Sequence, residues 1–115
     1  MIMWAIQIFL AVAFGAAGTM KLARSKPQLA ANPHMGWVDA VPEDRIKLLG
    51  AAEILGAIGL VVPIAMGIAP ILTRVAAVCL ATLMGGAAAT HTMRGESGAV
   101  STILALLAIA VAAFR

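Results

Sequence analysis

IKLLGAAEILGAIGLVVPIAM, residues 46–66, is an apolar segment of membrane-spanning length with one carboxylate, Glu53, well inside it. An acid at that depth is expensive in hydrocarbon, so it faces protein or water and calls for a partner. Leu49, Gly50, Glu53, Gly56, Ala57 and Leu60 recur at i, i+3, i+4, i+7 spacing, which puts the acid in a stripe of small residues where another helix can come close. Pro42 ahead of Glu43 and Asp44 predicts the helix start, with acids in the first turn where the dipole favours them. Pro63 is expected to kink the last turns, and Gly67 with Pro70 to end this helix and open the next.

The rest of the chain has the same character. Of 115 residues 63% are hydrophobic and only 11% are charged, where an average soluble domain has roughly 25% charged. Four apolar runs, about 2–23, 46–66, 71–93 and 99–114, separated by one longer loop at 24–45, predict an all-α integral membrane four-helix bundle forming a single domain, 1–115. The last run is slightly short for a span and crosses if its ends snorkel or the bilayer thins. A net charge of +3 spread along the chain lacks the clustered basic footprint of a nucleic-acid binder and suits anionic headgroups instead. The single cysteine, Cys79, excludes an intramolecular disulfide relay.

The first run could pass for a signal peptide because Ala16, Ala17 and Gly18 are small. It has no basic segment before it and its apolar part is too long, so a retained span is expected. Trp4 suits the interface near its start, Gly15 and Gly18 with Ala11 and Ala17 allow close helix approach, and Lys21 closes it. In the loop, Pro27 and Pro33 punctuate a segment with a short helix expected around 28–31. Trp37 suits an interfacial position there, and as the longest connection the loop is the natural lid. In the third run Gly85, Gly86, Ala87, Ala88 and Ala89 make a slim second half, followed by His91 on the face of Met84, Ala87 and Ala88.

Short connections make neighbouring helices antiparallel. Lys21, Glu53 and His91 therefore belong to the half of the bilayer beneath the long loop, and Gln7 to the other half. An amine, a carboxylate and an imidazole in a low-dielectric pocket can share protons, hold an anionic or carbonyl-bearing ligand, or neutralise one another. Each also has a plainer role: a snorkelling lysine, a structural ion pair, a helix-end histidine bonded to a carbonyl. The expected ligand-binding set is Glu53, Lys21 and His91 with Trp37 above them. No nucleophile–base motif assigns a catalytic residue, and His34 and His91 lack the close ligand spacing of a metal or haem site.

Gly18-Thr19-Met20-Lys21, the run Glu53-Ile54-Leu55-Gly56-Ala57-Ile58-Gly59-Leu60-Val61-Val62-Pro63, and His91-Thr92-Met93-Arg94-Gly95, in this order, resemble the DoxX-like membrane proteins over nearly the whole chain. That resemblance implies a small four-helix membrane protein. It also implies two kinds of activity, since the family name comes from a subunit of a thiosulfate:quinone oxidoreductase and animal relatives include a chaperone for receptor assembly. Lys21, Glu53 and His91 would be the family's polar core positions. The first functional class is thus a redox-linked module holding a lipophilic small molecule, with a quinone as candidate and a soluble partner doing the chemistry. The second is an assembly or interaction protein whose small-residue faces dock other membrane proteins or a second copy of the chain. A bacterial inner membrane is the expected location.

Two outcomes test the sequence reading directly. Lys21, Arg24, Lys26, Arg45, Lys47 and Arg94 flank the long loop, whereas Arg74 and Arg115 flank the other side. Basic excess marks the cytoplasmic side, so both termini lie outside; labelling of a cysteine at position 28, but not at position 1, by an impermeant reagent outside intact cells would refute this. Leucine at Gly56 is expected to push helices apart, while the same change at Ile54 or Ile58 is expected to be tolerated, which thermal unfolding in detergent measures.

Overall fold

The structure, a computed structural model, describes residues 2–31, 33–68 and 71–115, without the side chains of residues 33, 34, 39 and 40. Among the described residues it is all-helical: α1 (Ile2–Ala23), α2 (Lys26–Ala30), a 3-10 helix (Pro33–Ala40), α3 (Glu43–Ala65), α4 (Ile71–Met93) and α5 (Ala99–Phe114). Three of them, α1, α3 and α4, are long and apolar enough to cross a membrane, and α5 is a shorter apolar helix. At 1.5 Å per residue α5 reaches about 24 Å, short of a hydrocarbon core of about 30 Å. Large apolar side chains point outward from all four, including Phe9, Leu55, Val78 and Leu106. Such an apolar girdle fits lipid.

The helices run up and down in a closed ring, α1 against α3, α3 against α4, α4 against α5 and α5 back against α1, the last seam being the most sparsely packed. Antiparallel order follows from the cross-contacts. Late α1 meets early α3 at Gly18 and Gly50, and early α1 meets late α3 where Gln7 Nε2 donates to the Leu60 carbonyl at 2.6 Å. The buried face of α3 is Ile46, Gly50, Glu53, Gly56, Ala57 and Leu60, the small-residue stripe extended one turn toward the loop.

Small residues set the helix spacing where they face a neighbour. A Cβ added at Gly18 would lie 2.5 Å from the Gly50 carbonyl oxygen, and one at Gly50 would lie 2.8 Å from that of Gly18. Backbone meets backbone there. At Gly56 the obstacle is the side chain of Leu80, and at Gly59 the Ala76 methyl. Two positions differ from the sequence expectation. Gly15 would have nothing within 4 Å of an added methyl, because the buried line of α1 runs through Leu10, Phe14 and Gly18 and passes beside it. Ile54 is half-buried, its side chain seated over Gly18 rather than turned to lipid; Ile58 is exposed.

The glycine-rich half of α4 serves another purpose. Gly85 and Gly86 have no neighbour within 4 Å of an added Cβ, so at these positions the slimness leaves space; at Ala88 it admits the start of α5, where an added Cβ at Gly98 would lie 3.0 Å from the Ala88 carbonyl oxygen. The packed core of the bundle, Leu10, Phe14, Ala57, Leu60, Ala77, Leu80, Ala108 and Val111, lies mostly toward the end away from the long loop. The loop end has a small core of its own, Leu29, Val38 and Ile46, with Met20, Met35, Trp37 and Val41 around it. The segment between α1 and α3 is therefore a folded cap. Its α2 opens with a capping box, in which Gln28 N–H donates to Ser25 Oγ at 3.4 Å and Ser25 N–H donates to Gln28 Oε1 at 2.9 Å, satisfying two orphan donors at once.

Both α3 and α4 end on a glycine in the left-handed region, Gly67 at φ 67° and Gly95 at φ 75°. The bonds that follow, Ile68 N–H to Pro63 O and Gly67 N–H to Ile64 O, then Glu96 N–H to His91 O and Gly95 N–H to Thr92 O, are Schellman motifs. Helix α3 continues through Pro63 to Ala65.

The packing predicts an order of tolerance. Alanine at Gly18 or Gly50 meets immovable backbone and should lower stability by about 1–3 kcal/mol, the usual range for overpacking. Alanine at Gly56 meets the buried Leu80 side chain, not backbone, and should cost less than alanine at Gly18, and alanine at Gly85 should be neutral or stabilising. Unfolding in mild detergent ranks the four; a Gly85 variant as damaged as the Gly18 variant would contradict this arrangement.

Candidate functional site

Lys21 and Glu53 meet through the glycine crossing. Each lies three residues beyond it, in Gly18-Thr19-Met20-Lys21 and Gly50-Ala51-Ala52-Glu53. Side chains lean toward the N-terminus of their own helix. In an antiparallel pair that tips Lys21 down into the bundle and Glu53 up toward the loop, and Lys21 Nζ donates to Glu53 Oε1 at 2.6 Å. Both are buried, with 8% and 3% of their surface exposed. A buried acid with a charged, hydrogen-bonded partner satisfies the condition that hydrocarbon imposes.

Neighbouring residues hold this pair in place. The Lys21 ammonium lies 6.0 Å from the centroid of the Trp37 ring, within cation–π reach. Just above, Lys47 Nζ donates to the carbonyls of Lys21 at 2.8 Å, Leu22 at 3.0 Å and Arg24 at 2.6 Å. These belong to the last turn and exit of α1, where a helix leaves carbonyls without partners and a cation is favoured by the dipole. Lys47 thus caps one helix from the next.

Below the cap lies a partly open cavity of about 530 Å³ lined by α1, α3, α4 and α5. Phe14, Ala17 and Lys21 come from α1, Leu49 and Glu53 from α3, Met84, Gly86, Ala87, Thr90 and His91 from α4, and Val100, Ser101 and Leu104 from α5, with Met35, Trp37 and Val41 above. Its volume falls within the range of small-molecule sites, about 300–1,000 Å³, and an apolar wall with a few convergent polar groups is their usual makeup. The space exists where Gly86 and Ala87 replace larger side chains.

The four residues of the expected ligand-binding set, Lys21, Glu53, His91 and Trp37, all line this cavity. They are not one bonded cluster. His91 Nδ1 is 3.0 Å from Glu96 Oε1, an oxygen that also accepts from Arg94 Nε at 3.2 Å. Glu96 lies in the turn after α4, where the hydrogen bond from His91 is the largest of the influences that hold its carboxyl below the usual range. Sequence reading missed both Glu96 and Lys47 as site-forming residues. For Glu96 a cue was present: a glycine closing a helix folds the next residue back over the last turn. The side chain of His34 lies outside the described residues.

At the opposite end Gln7 is fully buried. Beyond its bond to the Leu60 carbonyl, it accepts from Arg115 Nε at 2.7 Å, and the Arg115 guanidinium lies 5.2 Å from the Trp4 ring. Arg74 Nε donates to the Ala112 carbonyl at 3.1 Å. This end is closed by protein groups.

The DoxX-like family matches residues 5–113, nearly the whole chain, and the chain belongs to that family. No curated protein and no solved structure matches it.

The pair itself is open to test. Lys21→Met strands a buried carboxylate and should lower stability by about 3–5 kcal/mol, the usual result of removing one partner of a buried pair. Glu53→Gln keeps shape and hydrogen-bonding capacity and should be milder. Combining them should recover stability relative to Lys21→Met alone, as coupled residues require; strictly additive losses in that cycle would mean that the side chains do not meet in the membrane.

Proposed function

We propose that this DoxX-like membrane protein binds a lipophilic small molecule in the cavity beneath the cap, against Lys21 and Glu53, as a redox-linked module of a bacterial inner membrane. The observation that carries the reading is the placement of a buried ion pair in the wall of a roomy, largely apolar cavity. A pair needed only to neutralise itself would be served by close packing on all sides, and here one side is open space.

The donor set selects a class of ligand. An ammonium has three donors, and among the described residues Lys21 Nζ bonds only Glu53 Oε1. An additional acceptor oxygen can therefore approach it from the cavity while the Trp37 face and the apolar walls hold a flat or branched hydrocarbon body. A quinone meets these requirements with a ring carbonyl for Lys21 and an apolar ring and tail for Phe14, Met84 and Leu104. The electron transfer itself would belong to a soluble partner. The alternative, an assembly subunit that docks other membrane proteins through small-residue faces, has less support. Gly18, Gly50, Gly56, Gly59 and Gly98 are occupied within the bundle itself, and of the helical glycines left open Gly86 lines the cavity, so Gly15 and Gly85 are what remains for such docking.

Mass spectrometry of small molecules extracted from protein purified in mild detergent tests the proposal. The wild type should carry a lipophilic carbonyl compound near one per chain. Glu53→Gln, which unmoors the ammonium, should retain about tenfold less, corresponding to the loss of roughly one charge-assisted hydrogen bond. An empty wild-type cavity together with a stoichiometric membrane-protein partner would favour the assembly reading instead.

A further inference from the structure

The Schellman motifs that end α3 and α4 differ in one respect. This motif brings the second residue after the C-cap over the third residue from the helix end, and the contact is commonly apolar. At the end of α3 the two residues are Ile68 and Pro63; at the end of α4 they are Glu96 and His91. Nothing in the turn geometry demands a carboxylate on an imidazole. The imidazole it touches lines the cavity.

An ionised carboxylate only accepts hydrogen bonds. Glu96 Oε1, 3.0 Å from His91 Nδ1, therefore fixes the proton on Nδ1, and Arg94 Nε at 3.2 Å from the same oxygen holds the carboxylate in position. In the neutral ring the other nitrogen, Nε2, is then an acceptor with its lone pair available. The bond made by one ring nitrogen decides the role of the other. The cavity thus presents opposite characters on its two polar walls: a donor at Lys21 and an acceptor at His91.

We infer that Glu96 is a positioning residue that makes His91 Nε2 a hydrogen-bond acceptor in the cavity, so that the site takes a lipophilic molecule bearing a hydroxyl donor of the phenol type. This rests on the cavity being a ligand site, and it adds the ligand's second polar group. A molecule with an oxygen acceptor at one edge and a hydroxyl at another engages Lys21 and His91 together. One with carbonyls alone engages only Lys21.

Two measurements test it. Nitrogen-15 NMR of histidine-labelled protein in detergent at pH about 8, where an ordinary imidazole is neutral, should show His91 protonated on Nδ1, its signals assigned by their loss in His91→Asn. Glu96→Ala should shift them toward a tautomer mixture, and Glu96→Gln, which keeps an accepting oxygen, should restore them. Binding of para-nonylphenol and of its methyl ether should differ by about tenfold in favour of the phenol, the worth of one added hydrogen bond, and the ratio should fall toward unity in Glu96→Ala and recover in Glu96→Gln. A proton on Nε2, an imidazolium at that pH, or a ratio unmoved by Glu96→Ala would overturn the inference. Equal binding of both probes to the wild type would overturn it while leaving the cavity as a ligand site, whereas no binding of either would overturn both readings.

Discussion

Direct backbone contact between α1 and α3 at Gly18 and Gly50 is the constraint from which the loop end of this bundle follows. In lipid, apolar side chains gain nothing by leaving the solvent, so helices associate through close packing and through polar groups with no better partner. The two glycines supply the first, and three residues further along each helix Lys21 and Glu53 supply the second. Neither contribution works without the other. A wider crossing would lengthen the 2.6 Å bond, and a missing charge would leave a buried ion in the gap.

The two ends of the bundle divide the work. Toward the far end, Leu10, Leu60, Leu80 and Val111 fill the interior, and Gln7 ties α1 to the Leu60 carbonyl and to Arg115. Toward the loop end the interior is hollow, because α4 presents Gly86 and Ala87 there, with no buried side chain of the size of Leu80. A hollow interior forgoes dispersion contacts along its lining. Lys47 across the end of α1, the small core of the cap and the ion pair hold that end together without filling it. Cohesion is kept at the rim, and the centre stays available.

Much of this was legible in the sequence, and the failures have physical causes. The stripe from Gly50 to Leu60 could be read because helical spacing alone decides which residues share a face. The co-location of Lys21, Glu53 and His91 in one half of the bilayer followed from the order of the spans, each starting on the side where the one before it ended. The rotation of α1 did not. Gly15 and Gly18 are equally small, and only the partner's position shows that the buried line passes through Phe14 and Gly18. Ile54 departs from expectation for the same reason, since its neighbour lies on another helix. Lys47 reaches carbonyls 23 to 26 residues earlier in the chain, a relation no local pattern carries. Glu96 differs, because the glycine that folds it back over His91 stands in the sequence, and there a turn rule could have been pressed into a statement about the site.

The distance along the chain between Lys21 and Glu53 bears on how the protein is made. They are 32 residues apart, so at about 5–20 residues per second Lys21 is polymerised about 2–6 s ahead of its counter-ion and reaches the membrane before it. A lysine one turn from the end of its helix can wait with its ammonium among the headgroups. The arrival of α3 then gives it a carboxylate below the surface and draws it inward, while Lys47 takes over the exposed carbonyls at the end of α1. The final depth of the first helix is thus set by a residue that follows it into the membrane.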